Sequence, residues 1–126
     1  MALHRYRIVR GKRPPGDPLP SGERQDTRKH TRHVLRPSAE IVGQYLANPT
    51  DGAWERFRRS YLELLEQRFR EQRGPFDEIA ALASEHDVNL GCNCPTKVNP
   101  VDRCHTVLAL KFMKEHYPAL EIVFPA

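Results

Sequence analysis

The chain predicts a small α/β fold: a mostly parallel sheet of about four strands with helices packed on its faces. Three observations predict it. Short apolar runs bounded by Pro, Gly and Asn read as strands, and longer stretches with apolar residues at three- and four-residue steps read as helices. Their order is strand, strand, three helices, strand, helix, strand. The last strand–helix–strand unit needs a crossover, which is right-handed when its strands are parallel. At 126 residues the chain is expected to form one domain over 1–126.

Arg5–Arg10 alternates weakly and reads as the first strand. Residues 11–28 follow as a basic, Pro/Gly-rich loop. Seven of these eighteen residues are Pro or Gly, a composition that predicts an exposed, mobile segment and excludes a central strand. His33–Arg36 reads as a second strand stopped by Pro37, which holds its predecessor extended. Ser38 is placed to cap a helix over Ala39–Asn48. Asp51–Arg73 carries the strongest helical signal, with Trp54, Phe57, Tyr61, Leu65 and Phe69 on one core-facing stripe. Gly74-Pro75 breaks it. Phe76–His86 is a further helix, Val88–Cys92 a strand, and Asn93–Asp102 a loop punctuated by Pro95 and Pro100. Cys104–His116 is apolar around much of its circumference and should be largely buried. Leu120–Phe124 is the last strand.

Composition narrows the function classes. No apolar run approaches the roughly 18 residues of a membrane span. The N-terminus lacks the apolar stretch of a secretory signal, which predicts a cytoplasmic protein with reduced cysteines rather than a disulfide framework. Charge is uneven. Residues 1–36 hold ten Lys/Arg against three Asp/Glu, a net +7; residues 37–126 hold ten against thirteen, a net −3. The basic part is either an arm that meets an anion, such as nucleic acid or a phosphate-bearing ligand, or a solvated edge.

All three cysteines fall with a histidine in one 14-residue window: Cys92, Cys94, Cys104 and His105. Cys92 lies at a strand's C-terminal end, where open α/β sheets bind ligands. Cys104 and His105 lie at a helix start, where free N–H groups and the dipole favour anions such as a thiolate or a phosphate. These residues are expected to converge on one pocket. Three readings stay open. Cys104, with Cys92 and His105, forms a nucleophilic or redox thiol centre, Cys104 being the most acidic thiol. Cys92, Cys94 and Cys104 bind a metal, zinc by ligand type. Or the cysteines pack as small hydrophobes. Against a shared metal, adjacent Cys104 and His105 on a helix would point about 100° apart. Asp26, His30 and His33 could form another metal set, although a polar surface explains them more simply. Gly11–Gly16 lacks the phosphate-loop pattern.

Trp54–Leu65, the Phe76–Ala83 helix, Val88–Cys92, Cys104-His105 and Val107-Leu108 together resemble the YeaO-like branch of a bacterial family of uncharacterised proteins, a domain of unknown function. The similarity covers roughly residues 40–126. Trp54, Phe57 and Tyr61 match the family's aromatic helix, and His105 matches a histidine at its last helix start. Cys92 and Cys104 are similar to cysteines of other branches, whereas Cys94 is particular to this chain. Arg32 or Arg36 aligns with a family arginine. The resemblance implies an α/β fold and no defined activity.

Two functions are compatible with these observations. One is a cysteine-dependent enzyme acting on a phosphate-bearing or nucleotide-like ligand, bound with help from Arg32, Arg36 and Arg103. The other is a zinc-binding module that contacts nucleic acid or protein through the basic N-terminal arm. Neither involves a membrane.

Overall fold

The computed structural model describes residues 1–97 and 99–125. Val98, within the loop expected over 93–102, and Ala126 lie outside the described residues. The elements run β1 (Leu3–Arg7), β2 (Glu23–Asp26), α1 (Ala39–Ala47), α2 (Asp51–Glu71), α3 (Gly74–Glu85), β3 (Val88–Cys92), a 3₁₀ turn (Val101–Arg103) and α4 (His105–His116). The fold is α/β. Its sheet has three strands in the order β1-β3-β2, and both pairings are parallel. Leu3 pairs with Val88 at one end of the β1–β3 ladder and Arg7 with Cys92 at the other.

Three strand assignments move, the first only by sliding from Arg5–Arg10 to Leu3–Arg7. The second strand is Glu23–Asp26, inside the stretch expected to be an irregular loop. It sits at the sheet edge, where a polar strand is tolerated. Gly22 enters it at φ +90°, and a Cβ there would sit 2.6 Å from the Asp87 carbonyl oxygen. His33–Arg36 is instead a turn closed by Arg36 N–H on the His33 carbonyl, 3.0 Å. Its apolar pair, Val34 and Leu35, is buried as a strand's would be. Its carbonyls, however, are taken by side chains of α2. Tyr61 Oη donates to Leu35 O at 2.6 Å, and Arg68 Nη1 to Val34 O at 2.8 Å and Arg36 O at 2.5 Å. The last strand shrinks to one parallel bridge, Leu3 to Ile122.

The helices form for the reasons read in the sequence. Ser38 Oγ accepts Ile41 N–H at 3.2 Å, and Thr50 Oγ1 accepts Ala53 N–H at 3.1 Å, so each cap satisfies an otherwise free donor. Phe57, Tyr61 and Leu65 of α2 are buried against α4, whose Leu110, Phe112 and Met113 are almost fully enclosed. β3 is buried along its whole length. At Gly91 a Cβ would come within 2.7 Å of the Tyr6 ring, so glycine is required for Tyr6 to cross the central strand. The consequence for function is positional. The C-terminal end of β3, the turn after β2 and the start of α4 all meet at one edge of the sheet.

Candidate functional site

Cys92 closes β3, and Cys104 is the N-cap of α4, immediately before His105. The structure brings these three together, with Cys92 Sγ, Cys104 Sγ and a ring nitrogen of His105 all within 4.8 Å of one another. Cys94 Sγ stands 4.0 Å from Cys92 Sγ, outside that group of three. All three cysteines are free and buried. The expected divergence of Cys104 and His105 does not occur. Cys104 is extended, at φ −111° and ψ 142°, so the 100° helical rotation does not separate it from its neighbour.

The imidazole is held in one orientation. Thr27 Oγ1 donates to the Gly91 carbonyl at 2.9 Å and lies 2.8 Å from His105 Nε2. With its one proton on Gly91, the hydroxyl offers only lone pairs to the ring. His105 therefore carries its proton on Nε2, and Nδ1 is left facing Cys92 Sγ at 3.6 Å. The Tyr61 ring packs edge-on against the imidazole, with centroids 5.7 Å apart.

The sulfurs receive donors from nearby side chains that are themselves held by residues far away in sequence. Tyr45 Oη donates to Asn99 Oδ1 at 3.1 Å, which turns the amide so that Nδ2 points at Cys94 Sγ, 3.0 Å away, and at the Arg103 carbonyl. Thr106 Oγ1 donates to Cys104 Sγ at 3.1 Å and in turn accepts Arg5 Nε at 2.9 Å, placing a guanidinium one hydroxyl away from the sulfur. Hydrogen bonding from the Cys92 and Cys94 thiols holds Cys104 below an ordinary thiol, against the effect of burial. The bond to Cys104, with Cys94 and burial adding, pushes Cys92 up. Cys94 is pushed up to about 11, chiefly by Cys104. The cluster thus favours one anionic sulfur, at Cys104. The cause differs from the expected one: its neighbours' thiols supply the shift, no N-terminal amide caps the side chain, and Arg103 pairs instead with Asp51.

A cavity of about 450 Å³ opens over the cluster, and Cys92, Cys94, Cys104 and His105 all line it. Tyr45, Trp54 and Phe57 form one wall. Trp54 is therefore not simply core: it stacks on Phe57 with centroids 5.3 Å apart and is only partly buried. Lys29 brings positive charge to the cavity lining, together with Arg28 and Arg103, which are paired with Asp26 and Asp51. Of the three arginines expected to bind ligand, Arg103 alone lines the cavity. Arg32 is exposed elsewhere, and Arg36 folds back to donate to the His33 carbonyl at 3.0 Å. The basic arm is partly neutralised, because Arg7 and Arg13 both pair with Asp17.

The second histidine set does not assemble. Asp26 is engaged by Arg28 through both oxygens. His33 Nε2 faces Gln25 Oε1 at 2.6 Å, and its Nδ1 accepts Leu35 N–H at 3.0 Å, leaving no lone pair for a metal.

The family described as the Active DUF488-N3 subclade, DUF488-N3a, matches residues 3–117. The chain belongs to the DUF488-N3a family. The resemblance to a YeaO-like domain of unknown function agrees with this, and membership extends it into the N-terminal third. No curated protein and no solved structure matches the chain. In this DUF488-N3a chain the matched span contains every residue of the cluster, together with Arg5, Thr27, Asn99 and Thr106 around it. Among the described residues no helix is long and apolar enough to cross a membrane.

Proposed function

We propose that this protein is a cysteine-dependent enzyme acting on a phosphate-bearing, nucleotide-like ligand held in the cavity above the Cys/His centre. One observation carries the reading: a single cavity has Cys92, Cys104 and His105 on its floor, Tyr45 and Trp54 on a wall and Arg28 and Lys29 on its rim. Its volume, about 450 Å³, falls in the usual range for small-molecule sites. An aromatic wall suits the face of a base, and guanidinium and ammonium groups suit a phosphate. Cys104 supplies a sulfur at the floor, and the His105 imidazole is held beside it with Nδ1 turned toward the cluster. The family's description as active agrees with a reactive centre. A reducing, cytoplasmic setting keeps three such thiols free.

The test is a binding screen of nucleoside mono-, di- and triphosphates against the whole chain by calorimetry, with inorganic phosphate as competitor. The reading expects at least one to bind, to protect the cluster's thiols from iodoacetamide and to bind more weakly to Arg28→Ala. If every nucleotide leaves both heat and alkylation rate unchanged, the reading is wrong.

A further inference from the structure

The centre has more ligand atoms than a thiol–imidazole pair requires. Around a tetrahedral zinc, bond lengths near 2.3 Å to sulfur and 2.0–2.1 Å to nitrogen set sulfur–sulfur separations of about 3.8 Å and sulfur–nitrogen separations of about 3.6 Å. Here Cys92 Sγ lies 3.6 Å from His105 Nδ1. The Cys92, Cys104 and His105 ligand atoms fit within 4.8 Å of one another. We propose that Cys92 Sγ, Cys104 Sγ and His105 Nδ1 hold one thiophilic divalent ion of the zinc class, with its fourth position facing the cavity beside Cys94. The inference rests on the reading of this cluster as the working centre and assigns the group that the centre holds.

Three further features of the site support a metal. The first is the imidazole's anchor. A metal-bound histidine donates its other N–H to an acceptor that fixes the ring, and Thr27, itself fixed on Gly91, accepts from His105 Nε2. The second is the set of donors on sulfur. Thr106 Oγ1 donates to Cys104 Sγ and orients that ligand, while Asn99 Nδ2 holds Cys94 beside the site. The third is charge. Two thiolate ligands brought to one buried point need compensation, and the Arg5 guanidinium reaches Cys104 only through the Thr106 hydroxyl. A divalent ion would supply the missing charge, and each thiol that enters the site as a thiolate releases one proton to solvent. Soft sulfur ligands with an imidazole favour zinc over magnesium or calcium. Three protein ligands with one open position is the arrangement of zinc sites that act on a bound molecule, whereas four protein ligands close a structural site.

The test uses the whole chain and two metals. The protein purified without chelator is assayed for zinc. Protein stripped of metal is then titrated with cobalt(II), reading thiolate-to-cobalt charge transfer and the intense visible bands of a tetrahedral site. The expected result is one ion per chain. Affinity should fall by about 100-fold or more in Cys104→Ser and His105→Ala, and by less than about 10-fold in Cys94→Ser. Thr27→Val keeps every ligand yet should lose about 10- to 100-fold, the usual effect of removing a ligand's anchor. It keeps the inference testable if a ligand variant fails to fold. A folded protein that retains no zinc and gives no cobalt spectrum overturns the proposal, as does equal affinity in Thr27→Val. Metal binding with no nucleotide binding would sink only the functional reading. Nucleotide binding with no metal would sink only this inference.

Discussion

His105 and His33 belong to the same chain, and each has one ring nitrogen fixed by a neighbour, yet only one of them has chemistry left over. His33 spends both nitrogens inside the fold, one on Gln25 and one on the Leu35 amide. His105 spends one on Thr27 and turns the other toward the Cys92 sulfur. Their sequence contexts looked comparable, a histidine near a carboxylate and a second histidine against a histidine near cysteines. What separates them is the second nitrogen. A titratable side chain becomes a site when its surroundings fix it without using it up.

The comparison breaks most easily at the reaction itself. His105→Gln and Cys104→Ser should each lower turnover of whichever nucleoside phosphate binds by about 100-fold or more, the usual scale of losing a group at the reacting centre. His33→Gln should stay within about 3-fold on the same scale. Steady-state kinetics on the three variants decides it. Equal losses would mean that the two histidines are not different in kind.

The next effect concerns acid stability. Burial, reinforced by His105, lowers His33 from its ordinary 6.5 to about 4. A histidine whose folded pKa lies below its unfolded value takes up its proton more readily in the unfolded chain. Stability is therefore intact above pH 6.5 and falls as the pH drops toward 4, by up to about 3 kcal/mol at pH 4. Urea unfolding across that window should show the slope. His33→Gln, whose amide oxygen can accept the same Leu35 N–H without titrating, should flatten it. An unchanged slope in the variant would place the titration elsewhere.

Thr27→Val should destabilise the fold by about 1–3 kcal/mol, because the buried Gly91 carbonyl loses a hydroxyl donor and His105 Nε2–H loses its acceptor. Thr27→Ser should recover most of it. Chemical denaturation compares the two, and a neutral valine variant would show that the hydroxyl does not hold the ring.

The smallest effect separates the arginines. Arg28→Ala should weaken nucleotide binding about 10-fold, the worth of one charge-assisted contact. Arg32→Ala should leave it unchanged, because that side chain does not line the cavity. Calorimetry on both variants tests the assignment, and the reverse ranking would contradict it.

Much of this was legible in the residues. The helices were, because Phe57, Tyr61 and Leu65 repeat at the helical period and Ser38 sits where a cap is needed. The cluster was, because all three cysteines and His105 lie in one short window. The edge strand was not, because Glu23–Asp26 is polar on both faces and its strand character comes from the β3 backbone beside it. The His33–Arg36 turn reads as a strand because two apolar residues look the same whether a ladder or the Tyr61 and Arg68 side chains satisfy their carbonyls. Arg5, Thr27, Asn99 and Thr106 could not be picked out for similar reasons. Arg5 and Thr27 stand far from the cysteines in sequence, and nothing in a threonine or an asparagine marks the sulfur or imidazole it will meet. Net charge locates the basic third without saying which arginines turn inward, and only the fold distinguishes Arg28, at the cavity, from Arg32 and Arg36.

The most direct test is the ring itself. A ¹⁵N-resolved imidazole spectrum of the folded, metal-free protein near neutral pH reports which nitrogen of each histidine carries the proton. The account predicts the Nε2–H tautomer for His105, with an unprotonated Nδ1 toward Cys92. A proton on His105 Nδ1, with Nε2 accepting from Thr27, would contradict it.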